Sequence, residues 1–243
     1  MFDAALNSLF SIVTPRPCAV CRSDIKSIAD GNACAACWGA TEVYSGSEAA
    51  CRKCGLVLPT ARPGAGAMCW QCDGHFYDFA TSVGPYARAL EAEVIALKTV
   101  PRISSRTKQL LFGAFLNSGI NGNTLIVPVP LSAQRNRERG FNQAQVIAKE
   151  LAERFRIKMD AGSLVRTNHS PIHRIGMDRK ARDLSVKNAF AVARPKLIEG
   201  QTILLVDDVY TTGATLSYCA KALKKSGALR VDVLTLARAI WGN

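Results

Sequence analysis

The sequence has 243 residues, is 48% hydrophobic and carries a formal net charge of +12. That length and apolar content support one or two packed domains. No apolar run approaches the roughly 18 residues of a membrane-spanning helix, so an integral membrane protein is not expected.

The charge is unevenly placed. Residues 1–75 hold six Lys/Arg and six Asp/Glu, while 25 Lys/Arg and 13 Asp/Glu lie in 76–243, which therefore carries the whole excess of +12. A basic globular region favours polyanionic partners, either nucleic acid or phosphate-rich small molecules. Colloidal solubility accounts for the charge equally well.

The chain opens on MFDAALNSLFSIVTPRPC, where Phe2, Ala5, Leu6, Leu9, Phe10 and Val13 recur at helical spacing. This predicts a short amphipathic helix docked on the rest of the protein. Asp3 and the lack of a basic leading segment argue against a signal peptide. The expected compartment is the cytosol, where thiols stay reduced.

Eight of the nine cysteines form four Cys-x-x-Cys pairs: Cys18/Cys21, Cys34/Cys37, Cys51/Cys54 and Cys69/Cys72. Each pair can place two thiolates on one metal, and two pairs complete a tetrahedral zinc site. Two zinc ions are expected, with Cys18, Cys21, Cys34 and Cys37 on one and Cys51, Cys54, Cys69 and Cys72 on the other. A crossed pairing is compatible with the spacing, because 13 residues separate Cys37 from Cys51. Disulfides are the alternative chemistry, disfavoured in a reducing compartment. With few large apolar residues in this stretch, metal must supply most of its folding free energy. The neutral charge of 1–75 points to a structural and docking role. His75 is expected to neighbour a site, not to ligate, and Cys219 to be a buried core residue.

From Phe76 onward strands and helices alternate. YDFATSVGPYARALEAEVIALK reads as a strand, a Gly-Pro turn and a helix with Leu90, Val94 and Leu97 on one face. RTKQLLFGAFLNSG is a second helix, ended by Gly119, and TLIVPVPL is a short strand. NQAQVIAKELAERFR is a helix with Asn142 as N-cap and Val146, Leu151 and Phe155 inward. QTILLVDDV is a strand, GATLSYCAKALKKSGA a helix closed by Lys224, Lys225 and Gly227, and VDVLTLAR the last strand. Strands that are apolar on both faces imply a parallel sheet covered by helices. Ligands of such sheets sit at the carboxyl ends of the strands.

There lie Asp207 and Asp208, followed by Thr211, Thr212, Gly213, Ala214 and Thr215. The start of a helix at about Ala214 favours an anion, Gly213 permits close approach, and the threonines add hydroxyl donors. A phosphate monoester fits the loop. The carboxylates cannot hold that phosphate, so they face ribose hydroxyls or a Mg²⁺ beside them. The Walker and dinucleotide glycine patterns are both missing.

ILLVDDVYTTGATL resembles the phosphoribosyl-pyrophosphate (PRPP) signature of type I phosphoribosyltransferases. Together with VPVPLSAQRNRERGFNQAQ, a terminal VDVLTLAR and the cysteine-rich start, nearly the whole chain resembles the ComF family. The resemblance implies an α/β fold: a type I phosphoribosyltransferase-like parallel sheet flanked by helices over 76–243, behind a small double zinc ribbon over 1–75. It implies PRPP with Mg²⁺ at Asp207, Asp208, Thr211, Thr212, Gly213, Ala214 and Thr215. Arg135, Arg137, Arg139 and Gly140 match the loop that holds pyrophosphate in the wider fold; arginine binds phosphate in a fork. An ordinary solvated basic turn is the plainer reading of that segment, and Phe141 is expected to be a core anchor.

Residues of about 165–190 match the hood that covers the site in this fold. Arg166, Arg174, Arg179, Lys180, Arg182 and Lys187 make it basic, so a DNA backbone could lie along it, although only Phe190 is available for base stacking. His169 and His173 are expected to be exposed loop residues. Natural competence is the implied role, with single-stranded DNA and a competence helicase or other DNA-uptake proteins as partners. Two alternatives stand beside it: transfer of ribose 5-phosphate from PRPP to an unidentified nucleophile, and a non-enzymatic nucleic-acid adaptor with a vestigial pocket. A glutamine-dependent amidotransferase is excluded, since it needs a free nucleophile that these cysteines do not offer.

Overall fold

The computed structural model describes residues 16–58, 67–69, 72, 74–120, 124–167 and 189–240. The predicted N-terminal helix lies outside them. A short helix α1 (Ala35–Gly39) belongs to the cysteine-rich region. The central sheet contains β1 (Phe79–Pro85), β2 (Thr124–Pro128), β5 (Thr202–Tyr210) and β6 (Arg230–Arg238). Its order is β1-β6-β5-β2, and every neighbouring pair is parallel. The helices are α2 (Arg88–Ala96), α3 (Ser105–Asn117), α4 (Ala133–Arg139), α5 (Gln143–Phe155) and α6 (Ala214–Lys225). A separate antiparallel ribbon pairs β3 (Leu164–Arg166) with β4 (Phe190–Val192).

Side chains alternate along β5 and build two cores. Leu204 and Val206 join Leu90, Val94, Leu111, Ile147 and Leu151 on one face. Ile203 and Leu205 join Leu164, Phe190, Leu216, Cys219 and Leu223 on the other. All four β5 residues are fully buried, each stabilising the fold by about 2 kcal/mol. On α5 the inward face is Ala144, Ile147, Ala148 and Leu151, with Val146 and Phe155 at its margin instead of its centre.

The cysteine-rich region does not hang free. Cys18, Cys34, Cys37 and Trp38 pack into the first core, and Cys51, Cys54, Cys69 and Cys72 into the second. The two clusters therefore cover opposite faces of one sheet. Backbone contacts also close the β1 edge, where Ala80 N–H donates to Lys53 O at 2.8 Å and Tyr44 N–H to Val83 O at 2.8 Å. The left-handed Gly55 lies so close to Ala80 O that a Cβ would collide with it. Residues 158–160 cover the β2 edge through Asp160 N–H to Ile126 O at 2.9 Å. Among the described residues, both edges are thus partly covered by other segments of the chain.

A buried carboxylate fastens the first cluster's segment. Glu93 on α2 accepts from Asn32 N and Nδ2, both at 2.8 Å, and from Ser104 N at 3.3 Å and Thr107 Oγ1 at 2.9 Å. Asp30 adds an ion pair to Arg106 at 3.3 Å, and that guanidinium also lies over Trp38. Among the described residues, no helix is long and apolar enough to cross a membrane.

Candidate functional site

The four sulfurs of Cys18, Cys21, Cys34 and Cys37 lie within 4.8 Å of one another, as do those of Cys51, Cys54, Cys69 and Cys72. Pairing is therefore sequential, not crossed. A tetrahedral zinc with four thiolates has sulfur–sulfur edges of about 3.8 Å. The observed separations are near this: 3.6 Å for Cys21–Cys34, 3.5 Å for Cys51–Cys72 and 3.4 Å for Cys54–Cys69. They are far longer than a disulfide, and all nine cysteines are free.

Backbone donors prepare each cluster. Val20 N and Cys34 N donate to Cys18 Sγ at 3.4 and 3.3 Å, and Cys69 N to Cys51 Sγ at 3.3 Å. Burial pushes the Cys18 and Cys51 thiols up, but backbone hydrogen bonds outweigh it and bring each down to about 6. Burial and neighbouring sulfurs push Cys37 up to about 12. Four thiolates this close need a cation between them, so both donor sets fit zinc. His75 is not part of either set; its Nδ1 pairs with Tyr77 Oη at 2.6 Å.

The second site lies at the carboxyl end of β5. Asp207 and Asp208 each accept from the next backbone N–H, at 2.9 and 2.7 Å. Both residues are half-buried. Burial, then the adjacent Asp208, pushes the Asp207 carboxyl well above its usual range, with Arg135 acting in the other direction. Asp208 joins burial and Glu91 in raising the Tyr86 phenol. Gly213, at φ +77°, caps α6 in the left-handed region, and Thr212 Oγ1 accepts from Ala214 N at 3.3 Å. The N–H groups of the first turn have no acceptor within the helix and point their dipole at this loop. Thr211 is exposed, Thr212 and Thr215 half-buried, Gly213 and Ala214 buried.

The arginine segment departs from the expected turn. Residues 133–139 form helix α4, capped by Ser132, whose side chain accepts from Arg135 N at 3.3 Å, and ended by left-handed Gly140. Asn142 Nδ2 ties the following turn to Val129 O at 2.9 Å. Arg135 and Arg139, one turn apart, share a face of α4 and Arg137 lies off it, so the three do not converge as a three-pronged clamp. Arg135 acts on Asp207. Phe141 is half-exposed and belongs to neither core, so it is not the expected anchor.

Of the hood cations, Arg166 falls within the described residues; Arg174, Arg179, Lys180, Arg182, Lys187, His169 and His173 lie outside them. Arg166 is half-buried, with its guanidinium 5.3 Å above the Phe190 ring. Burial lowers its pKa, opposed by Cys219 and aided by Arg135. It thus lies close enough to Cys219 and Arg135 to feel both. Phe190 is 8% exposed and roofed by this arginine, which removes it as a stacking platform. Cys219 is fully buried in α6, as expected. Spacing alone gave no hint of Arg238 and Tyr210, which stand between the second cysteine cluster and the α6 loop.

Fold and sites together define a phosphoribosyltransferase-fold domain covered by a double zinc ribbon. A double zinc ribbon domain model matches residues 9–73, and a phosphoribosyl transferase domain model matches residues 139–240. The chain is 28% identical over 235 residues to the DNA utilization protein YhgH of Escherichia coli (strain K12), covering 94% of this chain and 100% of that protein. It is 34% identical over 119 residues to competence protein ComFC of Bacillus subtilis (strain 168), 47% of this chain and 44% of the relative. It is 38% identical over 115 residues to competence protein F of Haemophilus influenzae, 47% of this chain and 50% of the relative.

Proposed function

We infer that this chain holds a phosphorylated ribose at the carboxyl end of β5 and serves the handling of DNA taken up by the cell. The carrying observation is the direct succession of Asp207 and Asp208, the Gly213 turn and the N-terminus of the 12-residue helix α6. Loop amides and the hydroxyls of Thr211, Thr212 and Thr215 take the 5-phosphate. The carboxylates accept from the ribose hydroxyls. PRPP with Mg²⁺ is the ligand this arrangement suits best; the cation would ease the repulsion that raises the Asp207 pKa.

The role in competence rests on the relatives named for competence and DNA utilization. In this reading single-stranded DNA meets the hood of about 165–190 in the cytosol, and Cys18–Cys72 form a docking module bounded near residue 75. Titration calorimetry with PRPP and Mg²⁺ tests the pocket. Binding is expected for the wild-type chain and a large loss for Asp208→Asn. No binding, or equal binding by the variant, overturns the reading.

A second reading, transfer of ribose 5-phosphate to a nucleophile, is favoured by Arg135, whose charge acts on Asp207. A guanidinium there suits a departing pyrophosphate. Release of pyrophosphate on mixing PRPP with a metabolite pool separates this reading from simple binding.

A further inference from the structure

Arg238, the last residue of β6, is 3% exposed and has no carboxylate partner among the described residues. Its Nη1 donates to Cys54 O at 2.5 Å and its Nη2 to Cys54 Sγ at 3.3 Å, while its Nε stays unpartnered. A buried guanidinium needs a counter-charge. Zinc held by four thiolates carries roughly two net negative charges, so the second cluster supplies one. The flat face of the same guanidinium lies 4.1 Å from the Tyr210 ring centre.

Tyr210 carries the contact onward to the phosphate loop. Its hydroxyl bonds that of Tyr77 at 2.7 Å, which bonds His75 Nδ1 at 2.6 Å. Burial pushes the Tyr210 phenol up to about 12 and the Tyr77 phenol higher still, so both stay protonated. Gly213 rests directly on Tyr210 and His75. A Cβ there would collide with the Tyr210 hydroxyl and lie 2.7 Å from Tyr210 Cζ and 2.8 Å from His75 Cε1. A second route starts at Cys72, whose carbonyl accepts from His75 N at 3.2 Å; Phe76 N then pins the segment to Ser217 Oγ on α6 at 3.1 Å. The first cluster packs into the core on the opposite face of the sheet.

We propose that Arg238, Tyr210 and Tyr77 are positioning residues that couple metal at Cys51, Cys54, Cys69 and Cys72 to anion binding at Gly213, while the first cluster only holds the fold. This rests on the phosphate reading of the loop given above. Metal fixes the Cys54 carbonyl and sulfur, these fix Arg238, and the guanidinium fixes the ring on which the loop sits. By reciprocity, an anion in the loop must tighten metal at the second cluster and leave the first unchanged.

Ribose 5-phosphate binding to the full-length chain tests the coupling. Cys54→Ser should weaken it about tenfold and Cys21→Ser less than about twofold. Because Cys54→Ser could unfold its ribbon, Tyr77→Phe and Arg238→Lys are measured alongside. Both should bind more weakly than wild type, with Arg238→Lys retaining more affinity than Arg238→Met. In the cobalt-substituted chain, ribose 5-phosphate should shift the thiolate-to-cobalt band, and Arg238→Met should abolish the shift. Equal affinities in all variants, or an unmoved band with ribose 5-phosphate bound, overturn the coupling alone. No binding by the wild-type chain overturns the phosphate reading and the coupling with it.

Discussion

Tyr210 and Arg238 face each other in the β5–β6 ladder, and the guanidinium lies 4.1 Å from the phenol ring centre. This pair joins two motifs that are far apart in the sequence. On one side is a cysteine cluster, bonded through Cys54. On the other is the glycine that caps α6.

Glu93 is the counterpart on the opposite face, satisfying four donors with one buried carboxylate. Glu93→Ala leaves those donors without a partner and should cost about 3 kcal/mol. Thermal unfolding checks this. Glu93→Gln keeps one acceptor oxygen and should lose less.

Much of this arrangement is legible in the sequence, because the four Cys-x-x-Cys pairs and the acidic signature are local patterns with fixed chemistry. Helix α4 was not legible as a helix. None of its residues is buried, so no apolar periodicity marks it. Its only signals are Ser132 and Gly140, the caps at its two ends. Glu93, Tyr210 and Arg238 were equally hidden, since each has a partner far away in the sequence, at separations of 61, 133 and 184 residues. Long-range burial of a charge leaves no trace in spacing.

Asp207 should trade stability for binding. Its folded pKa is raised by burial and by Asp208, so the folded chain holds this proton more tightly than the unfolded chain. Its contribution is therefore most favourable at low pH and is lost as pH rises through the folded pKa. Asp207→Asn should raise the melting temperature at neutral pH and flatten this dependence. The same variant should bind ribose 5-phosphate about thirtyfold more weakly, the worth of one charge-assisted hydrogen bond. A lower melting temperature at pH 7 would contradict the sign.

Metal removal should loosen both faces of the sheet, because each cluster is part of a core. Elemental analysis is expected to give two zinc ions per chain. Trp38 is 3% exposed and packs with Cys34 and Cys37, so chelation should red-shift its fluorescence. Part of the shift should be lost in Trp38→Phe, since the sequence also carries Trp70 and Trp241. A single zinc, or an unchanged spectrum after both are removed, speaks against the assignment.

Single-stranded DNA binding should depend steeply on salt if the hood cations contact phosphate. Replacing Arg179, Lys180 and Arg182 by Gln should reduce the slope of log affinity against log salt by about 2. Fluorescence anisotropy across a salt series reads this slope. An identical slope places the DNA elsewhere on the chain.

The central claim is that one ribose phosphate spans the acidic pair and the α6 loop. A crystal structure with ribose 5-phosphate and Mg²⁺ tests it most directly. The account predicts the phosphate on the amides of residues 212–215 and the ribose hydroxyls on Asp207 and Asp208. Clear density for the sugar phosphate anywhere else, with this pocket filled only by solvent, would contradict it.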